Sequence, residues 1–176
     1  PDVRRLVAVK VLNGLPLSDQ NTFRSFENEV QSLARVQHPN IVRFHERGMA
    51  HGEAYVVMDL VKGPTLKDWS CPSIKKRISV LIDIADALEY VHSKAIIHRD
   101  IKGCNILIAK DGTVKLADFG VSALMSEQDK RFSVVGTPYW MAPEVIEMTG
   151  HHTVSDIWSV GCTVIELLKG DPPYFD

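Results

Sequence analysis

The sequence is poor in cysteine and has no two cysteines at short spacing. Its three cysteines, Cys71, Cys104 and Cys162, are widely separated, and no CxxC motif occurs. Structural zinc sites and disulfide frameworks usually need more such residues at characteristic spacings. The sequence therefore argues against both, and we expect reduced thiols in a cytoplasmic protein.

The sequence also lacks a long apolar run and an excess of charge of one sign. The longest apolar candidate, Ile157 to Leu168, is too short to span a bilayer and contains Glu166. The 20 Lys and Arg residues and 22 Asp and Glu residues leave a formal charge of −2. Nucleic-acid-binding domains commonly carry a strongly basic face, so neither nucleic acid nor a membrane is expected as a partner.

The spacing of apolar residues divides the chain into a strand-rich beginning and a helix-rich remainder. Alternating β-branched residues predict strands, and apolar residues at i, i+4 and i+7 predict helices. The predicted strands are Leu6–Leu12, Ile41–Phe44, Ala54–Leu60, Ile106–Ile108 and Val114–Ala117, and the predicted helices are Phe23–Val36, Lys75–Ser93 and Ser155–Lys169. A break at Lys62-Gly63-Pro64 separates the two parts. The predicted fold class is therefore α+β, with a hinge near Gly63.

The last predicted helix, Ser155–Lys169, is apolar nearly all round. Helices of this kind are normally buried at the centre of a domain. We therefore expect this helix to lie in the middle of the helical part.

Two short segments carry side chains suited to chemistry on phosphate. The first, HRDIKGCN at residues 98–105, lies between a predicted helix and a predicted hairpin. The second, Asp118-Phe119-Gly120, begins 13 residues after Asn105. Phosphoryl transfer needs a carboxylate for the hydroxyl proton, oxygen ligands for magnesium and cations for the phosphate oxygens. The alternative is a solvated turn with incidental charges, which the combined spacing disfavours.

Four ordered motifs resemble those of serine/threonine protein kinases. They are VAVK at residues 7–10, HRDIKGCN at 98–105, DFG at 118–120 and APE at 142–144. By this resemblance Asp100 is the catalytic base, and Asn105 and Asp118 are magnesium ligands. Lys102 would contact the γ-phosphate of ATP, and Lys10 its α- and β-phosphates. The resemblance thus implies ATP and Mg²⁺ as cofactors and a protein as substrate.

Glu29 is a candidate partner for Lys10. It lies between Phe26 and Leu33 on the apolar stripe of a predicted helix, where a carboxylate is costly unless it is paired. The family's helix glutamate pairs with the lysine that corresponds to Lys10. The alternative is a surface glutamate whose carboxylate reaches solvent.

The resemblance also assigns apolar residues to the nucleotide site. Ala8 and Leu107 match the residues that sandwich the adenine ring, and Met58 matches the residue at the back of that pocket. Leu60 follows in the same segment and is included in the site. The alternative is that Met58 is an ordinary apolar residue of the core.

Several residues match structural positions of the family rather than reactive ones. Leu33, Phe44, His98 and Phe119 match a stack of side chains that links the two lobes of an active kinase. Asp156 matches an aspartate that anchors the catalytic loop.

The family resemblance extends to regulation and to subfamily. Arg99 precedes the base, a pattern of kinases that are switched by phosphorylation, and Ser133 is the preferred phosphorylation site. Thr137 is expected to hydrogen-bond Asp100 and Lys102. The segments GTPYWMAPEVIEMTG and SDIWSVGCTVIELL most resemble those of MAP kinase kinase kinases and septation-pathway kinases, within the sterile-type group. The implied partners are a MAP kinase kinase as substrate and an upstream kinase or small GTPase as activator.

The resemblance implies a two-lobed fold that this chain covers incompletely. Residues 1–61 would form part of a small β-rich lobe without its glycine-rich loop, and residues 62–176 part of a larger helical lobe ending after the central helix. An exposed apolar patch, low stability and low activity are expected from this. Two rival functions remain: a non-catalytic kinase-like module that binds ATP or a partner, and a kinase acting on a small molecule.

Overall fold

A computed structural model describes residues 5–12, 30–71, 73–119 and 138–175 of the chain. Its first part is a three-stranded antiparallel sheet. The strands are β1 (Val7–Leu12), β2 (Phe44–Ala50) and β3 (Glu53–Asp59), in the order β1-β3-β2. Val7, Val9 and Val11 are exposed on one face of β1, and Leu12 on the other face is buried. This alternation is the one that the apolar spacing predicts.

The second predicted strand, Ile41–Phe44, is wrong. The strand β2 begins where that prediction ends, at Phe44, and continues to Ala50. Ile41 and Val42 instead lie beside Leu116. Ile41 forms a parallel bridge with Leu116, and the Val42 amide donates to the Leu116 carbonyl at 2.9 Å. An apolar run of four residues cannot distinguish a strand from a buried connection, and tertiary contacts decided this one.

The turn between β2 and β3 contains only two residues. Gly48 lies within β2, and the turn consists of His51 and Gly52, with φ angles of 53° and 82°. Two residues with positive φ form the tight hairpin turn whose twist matches that of paired strands.

The second part of the chain is mainly helical. It contains the helices α1 (Ile74–His92), α2 (Pro143–Ile146) and α3 (Thr153–Lys169), the hairpin strands β4 (Ile106–Ile108) and β5 (Val114–Leu116), and short 3₁₀ turns at Gly103–Asn105 and Pro138–Trp140. Ser73 caps α1 by accepting a hydrogen bond from the Lys76 amide, and Gly170 ends α3 with a φ of 98°. Residues 30–34 are also helical and belong to the first predicted helix. Both long helices match their predictions within two residues.

One core connects the two parts. Leu33, Phe44, His98 and Phe119 are all at most 5% exposed. The ring centroids of His98 and Phe119 are 4.4 Å apart, and those of Phe44 and Phe119 are 6.4 Å apart in an edge-to-face arrangement. Side chains from the sheet, the loop at residue 98 and the end of the hairpin therefore form one continuous stack.

The helix α3 is buried on one side and carries exposed apolar residues on the other, in agreement with the expected exposed apolar patch. Its buried positions are mostly polar: Ser155, Asp156, Ser159, Cys162, Thr163 and Glu166. Val154, Ile157, Trp158 and Leu168 are 44–64% exposed on its other side. The inner face of α3 meets loops, whose backbone groups need hydrogen-bond partners. Within the described residues, no helix is both long and apolar enough to cross a membrane.

Candidate active site

The segment at residues 98–105 is attached to α3 through Asp156. This carboxylate is 1% exposed and accepts hydrogen bonds from the backbone amides of His98 at 2.8 Å and Arg99 at 2.9 Å. The Nε2 atom of His92, at the end of α1, lies 2.7 Å from the same carboxylate. Arg99 has a φ of 71°, an unfavourable conformation that persists only where surrounding contacts impose it. Asp156 supplies such contacts, and it occupies the anchoring position that the resemblance implied.

His98 is a completely buried, neutral ring. Its Nε2 atom lies 2.9 Å from the Ala117 carbonyl, and the Asp100 amide donates to its Nδ1 atom at 3.3 Å. This pattern requires a proton on Nε2 and a lone pair on Nδ1. Burial lowers the pKa of His98, although the charge of Asp156 opposes this effect. His98 therefore joins the start of the segment to the strand end that precedes Asp118.

Asp100, Lys102 and Asn105 form one hydrogen-bonded cluster. The ammonium group of Lys102 lies 2.9 Å from Oδ1 of Asp100, and Nδ2 of Asn105 donates to Oδ2 at 2.7 Å. The same Nδ2 atom donates to the Asp100 backbone carbonyl at 2.7 Å. Burial alone would lower the pKa of Lys102, but the hydrogen bond and negative charge of Asp100 outweigh it and raise the pKa. Lys102 is thus a fixed cation beside the carboxylate.

Lys10 and Asp118 connect the sheet to the hairpin. The Lys10 ammonium group, on β1, lies 3.0 Å from Oδ1 of Asp118, two residues beyond the end of β5. Asp118 has a φ of 56°, which turns its side chain out of the strand direction. Its charge also contributes to the raised pKa of Lys102. The residues predicted to hold phosphate and magnesium are therefore close enough to interact electrostatically.

The predicted adenine residues occupy the same region with different exposure. Ala8 and Met58 are direct partners across the β1–β3 pair, and Met58 is buried. Leu107 is half-buried on β4 and bridges Thr65. Leu60, just after β3, is 43% exposed. Glu29, Ser133 and Thr137 lie outside the described residues.

The side-chain oxygens of Asn105 and Asp118 fit a magnesium ion as ligands. Asn105 donates through Nδ2, and its Oδ1 oxygen accepts only a long hydrogen bond from the Cys104 thiol at 3.7 Å, which leaves a lone pair of Oδ1 for a metal. Asp118 has a second oxygen beyond the one paired with Lys10. Among the described residues, no group of three or more His, Cys, Asp or Glu side chains is arranged to hold a metal. A sparse set is typical of Mg²⁺, which retains waters and binds through one or two carboxylates plus substrate phosphates.

One residue of this region, Glu166, is not among the predicted site residues. In the sequence, Glu166 served only to argue against a membrane span. Glu166 is 5% exposed and accepts hydrogen bonds from the Gly103 amide and the Trp140 indole. The sequence did carry a signal for Glu166. It follows Ser155 by 11 residues, which is close to three helical turns, so both side chains lie on the same face of α3.

Comparison with known proteins identifies the family. The protein kinase domain family matches residues 2–176. The chain belongs to the protein kinase family. The two-lobed α+β fold predicted from the motifs is confirmed. The structural alignment with the solved PknI kinase domain of Mycobacterium tuberculosis covers 95% of this kinase chain and 65% of that chain, at a TM-score of 0.75 and 27% identity.

The curated relatives of this kinase chain include several serine/threonine protein kinases. It is 46% identical to cell division control protein 7 of Schizosaccharomyces pombe over 84% of this chain and 14% of that protein. It is 44% identical to a probable serine/threonine-protein kinase of Dictyostelium discoideum, over 96% of this chain and 35% of that one. It is also 44% identical to MAP3K epsilon protein kinase 1 of Arabidopsis thaliana, over 97% and 13% respectively. The chain spans about a third or less of the length of these relatives.

Proposed function

We propose that this chain transfers the γ-phosphate of Mg-ATP to serine or threonine hydroxyls of a protein. The observation that carries the proposal is the cluster in which Lys102 and Asn105 bond opposite oxygens of Asp100. A carboxylate held in this way has a fixed orientation, and a positioned base can accept the hydroxyl proton as the phosphoryl group moves. Membership of the protein kinase family supports this activity over transfer to a small molecule.

Each charged residue has a separate task in this proposal. Asp100 accepts the proton of the attacking hydroxyl, and Lys102 offers its positive charge to the transferring phosphoryl oxygens. Lys10 would hold the remaining phosphates, which leave as part of ADP when the γ-phosphoryl group is transferred, and Asn105 and Asp118 would hold magnesium. When bound, magnesium would neutralise charge on the phosphate oxygens. Ala8 and Leu107 would enclose the adenine ring, with Met58 and Leu60 beside it.

The decisive experiment compares the chain with Asp100→Asn, using Mg-ATP and a generic basic protein as acceptor. Loss of a general base costs about 10²–10⁴-fold in rate. Asp111→Asn is the matched control, because Asp111 lies in the exposed turn between β4 and β5, where it accepts a hydrogen bond from the Thr113 amide. Phosphoamino-acid analysis should detect phosphoserine or phosphothreonine. Equal transfer by Asp100→Asn would refute the proposed base, whichever residue is modified.

A catalytically impaired module that binds ATP or a partner is the second candidate function. The ion pair between Lys10 and Asp118 favours this impaired module. It engages the lysine that phosphate transfer needs for the ATP phosphates with the aspartate that transfer needs for magnesium. Saturable Mg-ATP binding without transfer to any acceptor would support this candidate. Transfer that depends on Asp100 would exclude it.

We further propose a place in a MAP kinase cascade or a related signalling route. The similarity to MAP3K epsilon protein kinase 1 supports this, with a MAP kinase kinase as substrate and an upstream kinase or small GTPase as activator. Preferential phosphorylation of a MAP kinase kinase over the basic protein is the expected result. The free thiols of Cys71, Cys104 and Cys162 are compatible with the proposed cytoplasmic location.

Regulation by phosphorylation of Ser133 is part of the same proposal. Arg99, next to Asp100, is the residue expected to pair with the phosphate. Ser133→Ala should not gain activity when it is treated with an activating kinase. Equal activity of Ser133→Ala and the unsubstituted chain after this treatment would contradict the proposal.

A further inference from the structure

Glu166 is a buried carboxylate with an unusual pair of partners. It lies on the inner face of α3 and is 5% exposed. One oxygen, Oε2, accepts from the Gly103 amide at 2.9 Å and from the Trp140 indole at 3.0 Å. Burying a charged carboxylate is costly unless hydrogen bonds compensate it, and these two bonds do so.

The two donors belong to different segments around the proposed active site. Gly103 directly follows Lys102 and begins the 3₁₀ turn that ends with Asn105. Trp140 ends the 3₁₀ turn Pro138–Trp140, before the APE motif. Its carbonyl also accepts from the Ser159 hydroxyl at 2.7 Å. The helix α3 therefore holds Trp140 at both its side chain and its backbone, and joins it to Gly103 through a single oxygen.

Gly103 leaves room for the Glu166 carboxylate. A Cβ atom at residue 103 would lie 2.9 Å from the carboxyl carbon and from both oxygens of Glu166. Real Cβ atoms do not approach other atoms so closely, and Gly103 has no positive φ that would by itself favour glycine. The absent side chain thus lets the carboxylate reach the backbone amide.

We propose that Glu166 is a positioning residue that sets the place of Gly103, and thereby of Lys102 and Asn105 relative to Asp100. Its bond to Trp140 ties this position to the segment before the APE motif. The effect on turnover rests on the proposed kinase function. The contact between Glu166 and Gly103 does not, so it can be measured separately.

The first test is a double-mutant cycle on stability, which needs no activity. Gly103→Ala should lower the urea midpoint of the full chain, because the new methyl group collides with Glu166. In the Glu166→Ala background the same substitution should have little effect. Equal shifts in both backgrounds would overturn the proposed contact.

The second test measures turnover in Glu166→Ala and Glu166→Gln. A displacement of about 1 Å at a reacting group can cost about 10²-fold, so Glu166→Ala should lose about 10- to 100-fold in kcat. The KM for ATP should change less than kcat, because Lys10 and the adenine residues, which would hold the rest of the nucleotide, belong to other segments. Glutamine retains an acceptor oxygen, so Glu166→Gln should keep at least about tenfold more kcat than Glu166→Ala.

The matched control is Glu89→Ala, an exposed glutamate on α1, which should leave kcat and the urea midpoint unchanged. A kcat for Glu166→Ala within about twofold of the unsubstituted chain would overturn the positioning role.

If the unsubstituted chain transfers no phosphate, the proposed function fails, and hydrogen exchange of the Gly103 amide then replaces kcat as the measurement. Loss of its protection in Glu166→Ala but not in Glu166→Gln would support the positioning role, and unchanged protection in both would overturn it.

Discussion

The two long helices bury opposite kinds of side chain. The helix α1 buries Val80, Ile84, Ala87, Leu88 and Val91, as an amphipathic helix on an apolar core does. The helix α3 buries mainly hydroxyl and carboxylate side chains and exposes Ile157 and Trp158. The first helix stabilises the fold by removing apolar surface from water. The second orders loops by satisfying their backbone and side-chain donors.

This difference shows where the candidate active site obtains its shape. Asp156 holds the start of the segment at residue 98, Glu166 holds its middle at Gly103, and Ser155 donates to Glu144 of the APE motif at 2.6 Å. The Ser155 hydroxyl lowers the pKa of Glu144. Substitutions on the inner face of α3 should therefore affect activity and stability together, whereas those at the buried apolar positions of α1 should affect stability alone.

The largest effect is expected for Asp156→Ala. It leaves the amides of His98 and Arg99 without their acceptor and removes the partner of His92, so the free energy of unfolding should fall by about 3–5 kcal/mol. Turnover should fall as well. Urea unfolding and kcat measure both effects, and Asp156→Asn, which keeps one acceptor oxygen, should lose less of each. A change in unfolding free energy below about 1 kcal/mol would contradict the anchoring role.

A somewhat smaller effect on stability alone is expected for Ile84→Ala. Ile84 is 1% exposed on α1, and truncation of such a side chain costs about 2–5 kcal/mol. The kcat of the folded fraction should not change, because Ile84 bonds no loop of the active site. A large loss of kcat in fully folded protein would break the comparison between the helices.

The pH dependence of stability should report the burial of His98. Burial lowers the pKa of the folded ring, whereas the unfolded histidine titrates near the ordinary value of 6.5. His98 therefore contributes stability that is retained above pH 6.5 and is lost as the pH falls through 6.5 toward the lowered pKa of the folded ring, since the unfolded state gains the proton first. The slope contributed by His98 is at most about 1.4 kcal/mol per pH unit.

Urea unfolding between pH 5 and pH 8 tests this expectation. His98→Gln, which cannot titrate, should show a shallower decline of the unfolding free energy on acidification. His51→Asn is the control, because His51 is exposed in the β2–β3 turn and asparagine tolerates its φ of 53°. Identical slopes for His98→Gln and the unsubstituted chain would show that His98 gains its proton equally in both states.

The smallest effect on stability is expected on the outer face of α3. Ile157 is 57% exposed, so Ile157→Gln should change the free energy of unfolding by about 0.5 kcal/mol or less. The same change should reduce self-association, because it removes part of an exposed apolar surface. Sedimentation at several protein concentrations measures this, and a destabilisation of several kcal/mol would show that the outer face is not solvent-exposed.

Local patterns of the sequence determined the two long helices and the hairpin of β4 and β5, and they named the candidate site residues. The spacing of apolar residues located α1 and α3, and the short apolar runs at residues 106–108 and 114–117 located β4 and β5, because these signals depend on near neighbours. The motifs at residues 98–105 and 118–120 identified Asp100, Lys102, Asn105 and Asp118 as candidates. The structure then placed the first three in one cluster and Asp118 beside Lys10.

Only the tertiary structure decided which face of α3 is buried and where residues 41–44 belong. An apolar helix predicts burial but does not reveal that the facing elements are loops, whose donors favour polar side chains over apolar ones. The pairing of Ile41 with Leu116 and the bond from Gly103 to Glu166 join residues 75 and 63 positions apart. No local spacing encodes such contacts, because they form only when distant segments pack together.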